Sequence, residues 1–226
     1  TNFGQKPFKF PPPDGFQPLN LANTRPVNVI SRPDQYVGVT TYTGTTGAGT
    51  IKDDNIKFTP DFVWLKSTSN NEGHALYDTV RGSTGGNFYR LRSDTDDQQN
   101  SPTNELSSMI RGGFTVNNNG HCYNNGYKYA AWMWKAGGNK NTFNVDDVGY
   151  ASASAAGLDG GSVTPSGASV GTKQGFSIIT WSRSSSTDSI SHGLSQAPTF
   201  IIQKSTSADK RWQVGWEVEG WDRRLY

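Results

Sequence analysis

Sulfur, charge of either sign and long apolar runs are all scarce in this 226-residue chain, and each scarcity removes a class of function. A single cysteine, Cys122, cannot form an internal disulfide or a thiolate cluster, so neither a disulfide-stapled secreted scaffold nor a zinc module is available. The 21 basic and 19 acidic residues are scattered and leave a formal charge of only +2. Such a balance gives no footprint for phosphate backbones or anionic lipids, which argues against nucleic acid as a partner. No stretch approaches the roughly 20 apolar residues that span a bilayer, and no signal-peptide core is present. Membrane insertion is therefore not expected. The chain begins at Thr1 without Met, which reads as a processed start or as a segment of a longer polypeptide.

What is abundant is small and polar. Gly, Ser, Thr and Asn together supply about two residues in five, a composition of turns and half-buried strands that rules out a mostly helical protein. Disorder is excluded by seven Trp, nine Tyr and 11 Phe. Each aromatic side chain buries about 150–250 Å², enough to build a core poor in Leu and Met.

The chain divides by composition into four segments. Residues 1–33 form a proline-punctuated extended arm in which Phe3, Phe8, Phe10 and Phe16 alternate with Pro7, Pro11, Pro12, Pro13 and Pro18. A free linker has no need of four Phe, so these rings are expected to pack on an upstream domain or a neighbouring subunit. Residues 34–138 read as a β-module. In its run Tyr129–Trp134 both faces are apolar, the pattern of a central strand. Residues 104–110 are its one helical-turn candidate. Residues 139–172 shift to Gly, Ser, Ala and Asn and read as a linker.

Residues 173–226 begin a second copy of the module. Val37-Gly38-Val39-Thr40-Thr41-Tyr42 matches Phe176-Ser177-Ile178-Ile179-Thr180-Trp181 at a constant offset, and Ile51 matches Ile190. After a one-residue deletion, Pro60-Asp61-Phe62-Val63-Trp64-Leu65-Lys66-Ser67 matches Pro198-Thr199-Phe200-Ile201-Ile202-Gln203-Lys204-Ser205. The expected fold is all-β: two related sandwich-like modules, the second short or incomplete, behind the N-terminal arm.

This repeated pattern, with His74–Gly82, Gly113–Val116 and Tyr129–Gly138 of the first copy and Gly175–Thr180, Ile190–Leu194 and Ala197-Pro198 of the second, resembles a module of structural proteins from cyanophages and other marine phages. In those proteins the module follows a SPRY or concanavalin-like sandwich ending in a segment like Asn2–Phe8. The resemblance implies a place on the virion, with other virion proteins or further copies of the chain as partners. It supplies no catalytic motif, cofactor or metal that can be carried over.

The residues themselves offer few chemical constellations. Glu217 and Glu219, two apart in an expected strand, would share a face about 7 Å apart, near glycosidase separations. A concanavalin-like glycanase needs a third acid on that face, and Val218 and Trp221 leave none. His121 and Cys122 are adjacent, so in an extended chain they point apart and cannot form a nucleophile–base pair. His74 and His192 read as structural. Asp94, Asp96 and Asp97 form an acidic loop without the ligand spacing of an EF-hand, and Gly44, Gly47 and Gly49 lack the Lys-Ser/Thr of a phosphate loop. Trp64, Trp132 and Trp134 are expected in the core. Trp212, Trp216 and Trp221, beside Arg211, Arg223 and Arg224, are the candidates for an intermolecular interface. Non-enzymatic virion assembly or host contact is the leading functional expectation. A lectin-like adhesin that binds host-surface glycans is the alternative, and a glycanase the third.

Overall fold

Two sheets packed face to face account for the first half of the molecule. In the computed structural model the chain divides into the units Thr1–Ser31 and Arg32–Tyr226, and the structure describes residues 32–221. The arm expected over 1–33, with Phe3, Phe8, Phe10 and Phe16, lies outside the described residues apart from its last two positions.

The first half contains β1 (Val37–Thr43), β2 (Gly49–Lys52), β3 (Phe62–Ser67), β4 (Ala75–Asp78), β5 (Ser83–Thr84), β6 (Asn87–Phe88), β7 (Leu106–Ile110), β8 (Gly113–Val116) and β9 (Lys128–Trp134). One sheet has the order β1-β9-β3-β4 and the other β2-β8-β7, all antiparallel. Alternation decides which side chains go inside. Val63 and Leu65 of β3, Ala75 and Tyr77 of β4, and Ala131 and Met133 of β9 meet Ile51, Leu106, Phe114 and Val116 of the other sheet in one core. The doubly apolar β9 is central, between β1 and β3. The short β5–β6 hairpin turns on Gly85 and Gly86, both at positive φ, the backbone that a two-residue hairpin turn demands. The helical turn expected at 104–110 is instead β7, whose register slips between Leu106 and Ser108.

The segment 139–172 is not a linker. It carries β10 (Phe143–Val145), β11 (Val148–Tyr150) and β12 (Gly167–Gly171), which join β13 (Phe176–Thr180) in a sheet of order β11-β10-β12-β13 with β10 and β12 parallel. Phe143, Ala153, Leu158, Ala168 and Val170 form a second core. The small residues that read as a loop are what close packing requires. A side chain on Gly137 would meet the backbone of Asn144 and Val170 at 2.5 Å. At the β10–β11 turn, Asp146 and Asp147 take φ of 48° and 67°, a left-handed pair that Asp tolerates.

One buried carboxylate, that of Asp61, ties the two cores together. It accepts the backbone N–H of Ala136 (2.7 Å) and Gly138 (3.1 Å) and the hydroxyl of Thr79. Burial raises its pKa above the ordinary Asp value, against the pull of those two amides.

The C-terminal part is a separate hairpin, β14 (Phe200–Gln203) with β15 (Gln213–Trp216), followed by a 3-10 turn over Glu217–Glu219. The repeat runs further here than the sequence match. Phe62 pairs with Asp78 as Phe200 pairs with Trp216, and Leu65 with Ala75 as Gln203 with Gln213, one constant offset throughout. The Lys66 ammonium donates to the carbonyls of Ser67 and Glu72, and the Lys204 ammonium to those of Ser205 and Lys210, the same positions of the loop. Both copies leave the second strand through a positive-φ glycine, Gly82 and Gly220. The all-β expectation holds, but the second copy is no sandwich among the described residues: β13 and β14 lie in different sheets.

Candidate functional site

The cross-strand register that fills the core also builds an apolar strip on the opposite face of the first sheet. Val39, Trp132, Trp64 and Leu76 stand side by side across β1, β9, β3 and β4, with Val37, Trp134 and Phe62 in the adjoining row. Val37 and Val39 are exposed, and Trp64, Trp132, Trp134 and Phe62 are half-buried. Trp64 and Trp132 meet edge to face with centroids 6.5 Å apart. Phe176 of β13 packs against Phe62 and Trp134 and covers one end of the strip, which leaves Val39, Trp132 and Trp64 as its open part. These tryptophans were expected in the core. Smaller residues occupy it instead, because Val63, Leu65, Ala131 and Met133 alternate with them along the same strands.

The Trp64 indole in the strip is already engaged. The Trp64 indole N–H donates to Nδ1 of His74 at 2.8 Å, which places the imidazole proton on Nε2. Burial pushes the His74 pKa down, opposed by Asp94 and assisted by Lys66, so the ring is neutral at pH 7. His74 is thus a support for Trp64, and the strip presents apolar ring surface held in a fixed orientation.

Titratable groups cluster beneath the strip in the sandwich interior. Glu105, 1% exposed, accepts the Tyr77 hydroxyl at 2.5 Å and pairs with Arg90. Its backbone N–H donates to Asn87. Burial raises the Glu105 carboxyl, with Arg90 and then Tyr77 pulling the other way. Cys122 is fully buried, its thiol directed at the Asn117 carbonyl and its pKa driven up by burial. His121 lies beside Glu72, 3.4 Å away. The pair thus has separate partners and forms no nucleophile–base unit. Among the described residues no three of His, Cys, Asp and Glu converge as a metal site would require.

The acidic loop serves as a seat for the C-terminal hairpin. The Asp96 carbonyl accepts Lys204, the Gln98 N–H donates to Asp209, the Gln99 N–H to the Thr206 carbonyl, and the Trp212 indole N–H to the Arg92 carbonyl at 2.7 Å. Trp212, a candidate for an outward interface, therefore binds within the chain. Trp216 and Trp221 are exposed, and the Trp221 ring lies over Gly215. Residues 217–219 form a 3-10 turn, so the same-face spacing that a strand would give Glu217 and Glu219 does not apply.

A family profile described as a domain of unknown function (DUF7483) matches residues 32–222. The chain belongs to the DUF7483 family. The DUF7483 match takes in the sandwich, the sheet of residues 143–180 and the C-terminal hairpin as one stretch. No curated protein and no solved structure matches the chain. In this DUF7483 chain, sequence reasoning missed the outer strip, although the twofold apolar alternation of β9 carries its signal. It also missed the Tyr77–Glu105–Arg90 cluster, whose members are 28 or fewer positions apart but meet only through the packing of two sheets.

Proposed function

We propose that this chain is a non-enzymatic structural protein of a phage particle, part of a surface appendage, fibre or decoration, that works by making contact through the open aromatic strip of its sandwich. The strip carries this reading. It is apolar, rigidly backed by a close-packed core, and the Trp64 indole and His74 imidazole already satisfy each other, which suits adhesion to another surface rather than chemistry on a substrate. The resemblance of the repeated module to marine phage structural proteins supplies the setting. Partners of this class are other virion proteins or further copies of the chain. Mass spectrometry and immunogold labelling of purified particles test it: the chain is expected in intact virions, and its absence from them overturns the reading.

Binding of host-surface glycans is the second reading, favoured by the half-exposed rings of Trp64 and Trp132, which can stack on the apolar faces of sugars. A glycan array with the full chain tests it, together with saccharide protection of Trp fluorescence. Binding lost in Trp132→Ala supports it, and an array without binding removes it.

A further inference from the structure

Leu91 bridges to Leu76 of β4, and the residues on either side of it, Arg90 and Arg92, turn to the opposite side of the extended chain. With Asp97, Gln98, Gln99 and Asn100 these two arginines line a cavity of about 370 Å³. Its wall is held on both flanks. Arg90 and Asn100 exchange backbone hydrogen bonds in both directions, while the Gln98 and Gln99 N–H groups donate to Asp209 and Thr206 in the loop between β14 and β15. The cavity is therefore shaped by the fold itself, and a ligand entering it has little backbone left to order.

The charges of the wall already have partners. Arg90 pairs with Glu105 and Arg92 with Asp94 at 2.9 Å, and the Asp97 carboxylate accepts the Thr95 hydroxyl. Lys204, which reaches the Asp96 carbonyl beside this loop, is bound to two further carbonyls. Two guanidinium groups against three carboxylates leave no free positive charge for a phosphate, sulfate or uronate. The unmet capacity is of another kind. Among the described residues five buried side-chain polar atoms have no partner, and three of them belong to this wall: Nε of Arg90, Nε of Arg92 and Oε1 of Gln99. At Arg90 the other two nitrogens are engaged, one by Glu105 and the other by the Asn100 amide oxygen at 2.7 Å once that amide is turned to face it. Buried polar groups left unpaired are costly, so this cluster calls for a ligand that completes it. Two donors and one acceptor match hydroxyl groups, because a single hydroxyl oxygen both accepts and donates. The oxygens of an anion only accept, and an ammonium only donates.

We infer that this cavity is a binding site for a neutral sugar, one or two residues of a glycan. Its volume lies at the lower end of the range of about 300–1,000 Å³ that small-molecule sites occupy. Sugar hydroxyls accept from the Nε–H groups of Arg90 and Arg92 and donate to the Gln99 amide oxygen. The site shares no residue with the aromatic strip, so it goes beyond both readings of the function and depends on neither.

The test titrates the 226-residue chain with glucose, galactose, mannose and N-acetylglucosamine, and separately with sulfate and glucuronate, while proton–nitrogen NMR follows the arginine Nε–H and tryptophan indole signals. At least one neutral sugar is expected to shift the Arg90 and Arg92 signals saturably, with a dissociation constant of about 1 mM, and the two anions to bind at least tenfold more weakly. Gln99→Met keeps the length of the side chain and removes the acceptor. Arg92→Lys keeps a cation for Asp94 and removes the Nε–H. Each is expected to weaken binding at least tenfold, with Cys122 still protected from alkylation as the sign of an intact sandwich. The inference is overturned by the absence of a saturable shift with all four sugars, by binding that neither substitution changes, or by sulfate binding more tightly than every sugar. A sugar that moves only the Trp64 and Trp132 indole signals also overturns it, and supports glycan binding on the strip instead.

Discussion

The hairpins β3–β4 and β14–β15 have the same register, the same lysine bound to the same two loop carbonyls and the same left-handed glycine at the exit, yet one is core and the other is surface. Val63 and Leu65 are wholly buried, while Ile201 is 44% exposed and Gln203 stands where Leu65 does. Pairing and loop closure are written locally, in the Lys-Ser-Thr-Ser turn and the alternation of each strand. Burial comes from what is laid against the pair. The first hairpin has β9 on its edge and a second sheet on its face; the second rests its loop on residues 92–99 and has neither among the described residues.

The largest break in this comparison is at Tyr77, whose counterpart is Gly215. Only the first hairpin holds a buried phenol, and with it the Glu105–Arg90 pair. Glu105→Gln leaves Arg90 without its counter-charge and is expected to destabilise the chain by about 3–5 kcal/mol in urea unfolding. Next comes the core itself: Leu65→Ala is expected to cost about 3 kcal/mol, whereas Ile201→Ala changes stability by about 0.5 kcal/mol or less. Equal effects at the two positions would mean that the second hairpin is buried in solution. Smaller again is the lysine of the loop. Lys66→Met is expected to lower global stability by about 1–2 kcal/mol. Lys204→Met leaves the urea midpoint within error but speeds hydrogen exchange across Gln213–Trp216.

The smallest effect is on the pH dependence. Because burial raises the Asp61 carboxyl, the folded chain holds that proton to higher pH than the unfolded chain does. The contribution of Asp61 is therefore full below the ordinary Asp pKa and falls as pH climbs through the raised one. Asp61→Asn keeps an acceptor for Ala136 and Gly138 and removes the titration. Unfolding free energies measured from pH 3 to 7 should lose that downward component, with the absolute stability changed by only about 1 kcal/mol.

Much of the first half was legible because alternation and turn residues are local signals: the central place of β9 and the repeat at β1/β13 and β3/β14 could be read directly. What failed did so for identifiable reasons. Residues 139–172 looked like a linker because Gly, Ala and Ser carry little strand propensity, although those residues let β10 and β12 approach closely enough to bury Ala168 and Val170. Trp64, Trp132 and Trp134 were placed inside because large aromatic rings usually are, but on a two-sided strand the smaller alternate residues took the core. Trp212 looked like an exposed anchor, and only the fold brings Arg92 to its indole N–H.

The Asp61 carboxylate has a consequence for how the molecule melts. Repeated modules joined by slack tethers come apart one at a time, each with its own heat-absorption peak. Here a single side chain at the entrance of β3 holds the two amides that lead from β9 into β10, and Gly137 between them is locked against Val170. Neither core can loosen without pulling on the other. From β1 to β13 the chain should therefore absorb heat in one sharp calorimetric event, with the C-terminal hairpin opening ahead of it.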